Sequence, residues 1–345
     1  MNAEPAPDAA YSVGDGDLAR DAEAAVAVWR ASLGQVEGRA AKFAWFYRDA
    51  PVGALLQVLR FGPGGEVVGT AGVGWRTMRV GARQLRAGLL ADMAVLSGHR
   101  LLGPALQLQR AACERALQAC DLVYGFPNQN AVPVVKRLGY RHVGDMVLLV
   151  CALRHAPYLQ RMLPAPLALM AGAGLDLALR LRDGLRDLPG RTLEADWHDT
   201  PLPDAHPPLA HDDCIMRGER DAETLDWRFS RSPLAAFRFL YLRRRGEATP
   251  CAWFACQRDG DVLRIADFHV GAGLAPQRAL ARLSREARSA GCRALAIECC
   301  LPEPEMTALR RHGFRERQRR PIYARWNGDP QPFNGLRITV FDEDE

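Results

Sequence analysis

Metal and disulfide spacings are absent from this sequence. Its nine cysteines fall at irregular intervals, no CxxC occurs, and Cys299 and Cys300 are adjacent. That pattern fits neither a zinc site nor a disulfide framework. It fits free, mostly buried thiols in a reducing compartment. No run of about 18 uncharged apolar residues exists, which excludes a membrane-spanning helix. The first residues, MNAEPAPD, lack the basic and apolar stretches of a secretory signal, and the expectation is a cytoplasmic protein. Lysine is nearly absent too. Only Lys42 and Lys136 interrupt a basic complement that is otherwise arginine. The arginines are scattered, apart from Arg243-Arg244-Arg245 and the run at 315–320. Such runs more often mark a solvated face or strand edge than a nucleic-acid or membrane contact, and nucleic acid is not expected.

What is present suffices for two cores. The chain has 345 residues, 48% of them hydrophobic, and a mild formal charge of +5, within the range of a two-domain globular protein. The informative stretch is 88–106. Residues 89–96 are apolar and strand-like, interrupted by Asp92. Ser97-Gly98-His99 reads as a loop, and a helical pattern runs through 104–119. A strand feeding a glycine-containing loop that opens a helix is an anion site, because the first helical N–H groups lack partners and the helix dipole adds positive potential. Gly103 permits close backbone approach, and Pro104 suits the first helical position.

Arg100-x-x-Gly103-x-Ala105 resembles motif A of the GNAT (GCN5-related) acyl-CoA-dependent N-acyltransferases. Tyr124-Gly-Phe-Pro-Asn128-x-Asn130-Ala, continuing to Leu138-Gly139-Tyr140, is similar to that family's second motif, and the forms of both match a bacterial subgroup. The resemblance implies that Arg100, Leu101, Leu102, Gly103, Ala105 and Leu106 hold the pyrophosphate of acetyl-CoA or another acyl-CoA. It implies that Met93, Ala94 and Val95 bind the pantetheine arm, with a backbone N–H near Val95 for the oxyanion. Asn128 and Asn130 would touch the pantetheine, and they also suit the turn and N-cap of the next helix. No metal is implied. The element order read along 11–153 is β-α-β-β-β-α-β-α-β, with strands at 55–61, 67–75 and 77–85 before the strand of motif A and a last strand at 143–153 closing the unit.

The second half repeats the first. Trp45 and Pro51 recur as Trp227 and Pro233, Asp92 as Asp267, and Gly139-Tyr140 as Gly313-Phe314, at offsets of 174 to 182 residues. No Arg-x-x-Gly-x-Ala survives in the copy. The expected fold class is therefore α/β (α+β). It comprises two tandem GNAT folds, each a mixed, mostly antiparallel sheet flanked by helices, joined by a helical connector. The boundaries are a disordered tail at 1–10, the domain with the CoA loop at 11–153, connector and linker at 154–209, a degenerate domain at 210–328 and a solvated tail at 329–345. The apolar residues of 160–182 suit a connector better than a helix lying on a membrane, because the charges among them are mixed.

For catalysis the resemblance implies a base on or beside the motif A strand, for which Asp92 is the candidate. Asp267 repeats it where the CoA loop is lost, so Asp92 also reads as a shared structural residue. The family's thiolate-protonating tyrosine position holds Val135, which leaves Tyr140 or Tyr124 as substitute acid. His99 reads as exposed loop or phosphate neighbour. The implied activity is transfer of an acyl group from CoA to a primary amine by direct attack on the thioester. The acceptor would be a small molecule or a sugar amine, and a homodimer is compatible with the sequence. The alternatives are a non-catalytic CoA-binding sensor or subunit, and a membrane-associated transferase of envelope polysaccharide synthesis.

Overall fold

A computed structural model describes residues 11–34, 37–160, 162–187, 193–203, 214–329 and 332–344; the expected tail at 1–10 lies outside them. Strand β1 (Tyr11–Asp15) pairs antiparallel with β2 (Ala54–Phe61). Between them lie helices α1 (Ala22–Ser32) and α2 (Arg39–Phe43) and a π-helical turn, Ala44–Arg48. Trp29, Phe43, Trp45, Phe46 and Tyr47 from this segment are buried, and they supply most of its reason to fold. Strands β3 (Glu66–Val80) and β4 (Arg83–Val95) form a long hairpin. The break expected at Trp75 does not occur. The chain reverses at Gly81, whose φ of 56° suits the first position of a two-residue turn. Helix α3 (Leu102–Leu117), β5 (Leu122–Gly125), α4 (Val132–Arg137) and β6 (Arg141–Ala152) complete the first half.

The second half runs α5 (Ala156–Leu159), α6 (Ala165–Asp187), β7 (Leu193–His198), β8 (Ile215–Gly218), α7 (Ala222–Leu225), a π-helical turn at Asp226–Ser230, β9 (Phe237–Arg244), β10 (Ala252–Asp259), β11 (Val262–Val270), α8 (Pro276–Ser289), β12 (Ala294–Cys300), α9 (Glu303–His312), β13 (Arg315–Trp326) and β14 (Gly335–Thr339). All strands belong to one sheet ordered β1-β2-β3-β4-β5-β13-β6-β12-β11-β10-β9-β7. The pairs β4/β5, β11/β12 and β8/β14 are parallel and the rest antiparallel.

The last strands of the two halves are exchanged. β6 does not close the first half, as expected for 143–153; it lies between β12 and β13, and β13 lies between β5 and β6. Each exchanged strand thereby has partners on both sides, and the Val/Leu-rich β6 presents no open edge to water. β14 pairs with β12 and β8, and β8 with β3, so β3-β4-β5-β13-β6-β12-β14-β8 close a ring. Two further expectations fail. The linker read at 188–209 contains β7, an edge strand on β9. The tail read at 329–345 holds β14 and a tight turn, and among its described residues Phe341, Asp342 and Glu343 are buried rather than solvated. The arginine run at 315–320 sits on central β13, where Arg319 and Arg320 are paired with acids, rather than on a sheet edge.

The repeat in the sequence becomes a contact. The Trp45 and Trp227 rings stack with centroids 4.9 Å apart. Each indole N–H donates to the other residue's carbonyl, at 2.8 and 2.9 Å. Among the described residues, no helix is long and apolar enough to cross a membrane. Helix α6 nevertheless carries exposed Leu167, Met170, Leu177, Leu181 and Leu185.

Because each half is completed by the other's strand, heat unfolding is expected to be one calorimetric transition, and two resolved transitions would show independent halves. Trp45→Ala is expected to cost about 3–5 kcal/mol. Adding Trp227→Ala should cost less than the sum of the two single changes, since the rings share one contact.

Candidate active site

The parallel strands β4 and β5 pair only from Ala87 with Leu122 to Leu89 with Tyr124. Beyond that they part. The cause on β4 is a bulge. Ala91 pairs with Gly72 and Ala94 with Thr70, so Asp92 and Met93 together oppose Ala71. Asp92 has φ 49°, and among the described residues it is the non-glycine residue with positive φ, a conformation Asp tolerates better than most. Its side chain is held on both oxygens. Lys42 Nζ lies 2.8 Å from Oδ1 and the Tyr47 hydroxyl donates to Oδ2 at 3.0 Å. Lys42 also reaches Asp344 at 3.2 Å. Gly72 is part of this arrangement, since a Cβ there would collide with the Tyr47 hydroxyl.

On the other side, β5 ends in Gly125-Phe126-Pro127-Asn128. A Cβ on Gly125 would press on Leu90 across the throat of the wedge, at 3.1 Å. Asn128 Oδ1 accepts from the backbone N–H groups of Asn130 and Ala131 at 3.1 and 3.0 Å. This is the turn that opens α4.

The wedge holds a cavity of about 720 Å³, within the range of small-molecule sites. Leu90, Ala91, Asp92 and Met93 line one wall, and Phe126, Pro127, Asn128, Asn130 and Tyr140 the other. Arg320, Glu343 and Asp344 also line it. Burial pushes the Asp92 carboxyl up against the pull of Lys42, and Asp344 pushes the same way. Burial raises Glu343 to about 7; Arg320 opposes this, and Glu298 and Asp344 add to it.

Of the expected site residues, Asp92, Met93, Asn128, Asn130 and Tyr140 line the cavity. Ala94, Val95, Arg100, Leu101, Gly103, Ala105 and Leu106 are not among the described lining residues; with Leu102, the first residue of α3, they continue from β4 into the start of that helix. That helix begins at Leu102, so Pro104 is its third residue and not its first. No side chain caps α3, which leaves its first N–H groups to solvent or an anion. A Cβ on Gly103 would meet nothing within 4 Å, so the space before the loop is open. Arg100 Nε donates to the Val95 carbonyl at 2.9 Å and ties the loop to β4. Gln109, farther along α3, borders the cavity. His99 is not a free loop residue: it bonds Tyr11 at 3.0 Å and packs on Phe61.

The two tyrosines differ. The Tyr124 hydroxyl donates to the Asp342 carbonyl at 2.7 Å. The Tyr140 hydroxyl is buried with no strong hydrogen-bond partner, only the weakly bonding Cys113 thiol beside it. The Cys113 thiol and Arg325 are its neighbours, and burial holds the phenol well above its usual range.

The second half has the same divergence, but it is filled. β11 and β12 pair from Val262 with Ala294 to Ile265 with Ile297. Past that point β14 enters against Cys299 and Cys300. Asp267, the counterpart of Asp92, is buried between Arg220 and Thr339, at 2.9 and 3.0 Å. The Arg-x-x-Gly-x-Ala pattern is absent from the half whose wedge the chain itself occupies. Sequence reasoning missed Lys42, Arg39, Gln109, Arg320, Glu343 and Asp344. Lys42 carried a signal: it is one of two lysines in the chain and opens an aromatic run.

Lys42→Met leaves Asp92 buried without its cation and is expected to cost about 3–5 kcal/mol in denaturant unfolding, with part recovered on adding Asp92→Asn. A loss under about 1 kcal/mol would mean that the pair behaves as a solvated one.

No protein-family model matches the sequence, and no curated protein matches it. Solved structures do match. A GCN5-related N-acetyltransferase from Anabaena variabilis aligns with TM-score 0.65 and 10% identity over 92% of this chain and 73% of its own. One from Kribbella flavida aligns with TM-score 0.61 and 13% identity over 92% and 71%. A conserved protein of unknown function from Enterococcus faecalis gives 0.63 and 9% over 92% and 72%. The wedge between β4 and β5 thus sits in a fold that this chain shares with GCN5-related N-acetyltransferases.

Proposed function

We propose that the chain is an acyl-CoA-dependent N-acyltransferase using acetyl-CoA, built from two tandem GNAT folds of which the first carries the site. The observation that supports this reading is the open wedge between β4 and β5, beside a helix whose first turn is uncapped and unobstructed. In this reading the N–H groups of Leu102 and Gly103, with Arg100, take the pyrophosphate. The backbone of Met93, Ala94 and Val95, past the last β5 pairing, takes the pantetheine arm. The wedge then brings the thioester to the bulge at Asp92, where a fixed backbone N–H meets the charge developing on the carbonyl oxygen.

Asp92 was the candidate base. Its two oxygens are engaged by Lys42 and Tyr47, so its stronger contribution is to fix the bulge and hence the aim of the neighbouring amides. Tyr140, which lines the cavity and whose hydroxyl has only the weakly bonding Cys113 thiol beside it, is the proposed donor of a proton to the departing thiolate. The amine acceptor enters from the side of Arg320, Glu343 and Asp344. The free, mostly buried cysteines support placement in a reducing compartment such as the cytoplasm.

Calorimetry tests the reading. Wild-type protein is expected to bind acetyl-CoA with micromolar affinity. Gly103→Glu, which places a negative charge against the phosphate site, should weaken binding by about 100-fold or more. Gly103→Ala fits the open space and should bind within about threefold of wild type. A wild type that does not bind acetyl-CoA overturns the proposal.

A further inference from the structure

Part of the cavity wall comes from Glu343 and Asp344, and the structure builds the segment that carries them, 340–344, firmly. Thr339 and Asp342 cap the turn reciprocally, at 2.9 Å for the Thr339 N–H to Asp342 and 3.3 Å for the Phe341 N–H to Thr339. Arg220 holds Asp342 at 2.7 Å. Arg228 donates to the carbonyls of Val340 and Phe341 at 2.7 and 3.2 Å. From the first half, Tyr124 holds the Asp342 carbonyl and Arg76 the Glu343 carbonyl, at 2.7 and 3.3 Å. A segment held this way from both halves presents its side chains in fixed positions.

Two of those side chains are carboxylates that line the cavity. Glu343 has extended backbone, so the side chains of 343 and 344 leave on opposite sides. Glu343 meets Arg320 with both oxygens, at 2.6 and 2.5 Å. Asp344 meets Lys42 in the cluster with Asp92, and 24% of its side chain is exposed. The cations that line the cavity are committed. Arg39 donates to the carbonyls of Leu33 and Gly34 at 3.1 and 3.2 Å, and Arg320 is divided between Glu343 and Glu298. Each carboxylate belongs to a cluster with one more acid than base, Glu343 and Glu298 on Arg320, and Asp344 and Asp92 on Lys42, so the cavity offers an entering ligand two separate anionic poles.

We infer that these poles recognise the acceptor: Glu343 takes the proton from the attacking ammonium and Asp344 holds a second positive charge, so the acceptor is a small diamine or polyamine. This rests on the acyl-CoA reading above. In the reaction one N–H proton of the ammonium passes to the Glu343 carboxylate. The freed nitrogen pair attacks the thioester carbonyl carbon, the C–S bond breaks, and CoA leaves as thiolate. The nitrogen then loses its second proton as the amide forms, and the thiolate gains one. Protonation of Glu343 does not strand Arg320, because Glu298 remains its partner at 2.5 Å.

Glu343 faces Arg320 on β13, Glu298 on β12, Tyr124 on β5, Arg76 on β3, Arg228 on the second π-helical turn and Asp344 on its own segment. Burial outweighs the arginines and sets it near 7, where a base works well at neutral pH. Asp344, in its standing ion cluster with Lys42 and Asp92, suits a charge that is held and never released.

The test is thiol release from acetyl-CoA by the full chain, with putrescine and butylamine as acceptors. They share four carbons and differ in the second ammonium. Putrescine is expected to have kcat/KM at least about 10-fold higher, and Asp344→Asn should erase that preference by lowering the putrescine value toward that of butylamine. Glu343→Gln should lower kcat/KM about 100-fold or more and remove its rise through neutral pH. Glu298→Gln removes a negative neighbour and should move that rise to lower pH, which a purely structural Glu343 would not do. If wild type binds acetyl-CoA but shows no putrescine preference, or if Glu343→Gln keeps the neutral limb, the inference falls and the acyl-CoA reading stands. If wild type does not bind acetyl-CoA, both fall.

Discussion

The site depends on one buried ion pair. Lys42 and Asp92 meet at 2.8 Å with side chains 1% and 2% exposed. Two charges taken that far from water are tolerable only with good geometry and with their remaining groups satisfied. Tyr47 and Asp344 provide that. The pair holds Asp92 in a left-handed conformation that would otherwise relax. That conformation makes the bulge, and the bulge contributes to turning β4 away from β5. An aromatic segment between β1 and β2 thus shapes the far end of a strand fifty residues later. The requirement passes to β3, where Gly72 is bare so that Tyr47 can reach across.

The exchange of β6 and β13 explains why one wedge is open and the other closed. β4 parts from β5 and β11 parts from β12 in the same way, and both gaps need filling or a ligand. β14 fills the gap beside β12. Its continuation then crosses to the first half and walls that cavity with carboxylates. The two halves are therefore not an active copy beside an idle one. The second supplies a strand to the first half's sheet and a wall to its cavity, and it is held to the first by the reciprocal Trp45 and Trp227 contact.

Much of the fold was legible because its signals are local. Strand character in 89–96, the glycine loop and the helix at α3 are set by residues near one another, and so is the turn at Asn128. The repeat was legible from Trp45 and Trp227, although their meeting was not. What escaped depends on pairing between distant segments. Nothing local in β6 says that its neighbour is β12 instead of β5, since an amphipathic strand satisfies either. The stretch 342–345 reads as a solvated acidic tail until Arg220 and Arg320 are seen to hold Asp342 and Glu343. Pro104 was misplaced by two residues because helix starts are the weakest part of a periodic pattern. Lys42 was overlooked because its partner lies fifty positions away.

The crossing of residues 340–344 bears on how such a chain can change over generations. A repeat that loses its own ligand site is ordinarily released from selection and drifts or disappears. Here substitutions in β12, β14, Arg220 or Arg228 act on the shape of a cavity in the other half. The second half thus cannot change freely while the first half's cavity keeps its shape. Deleting it would remove β13 and the two carboxylates together, leaving the first half without part of its sheet and part of its cavity wall.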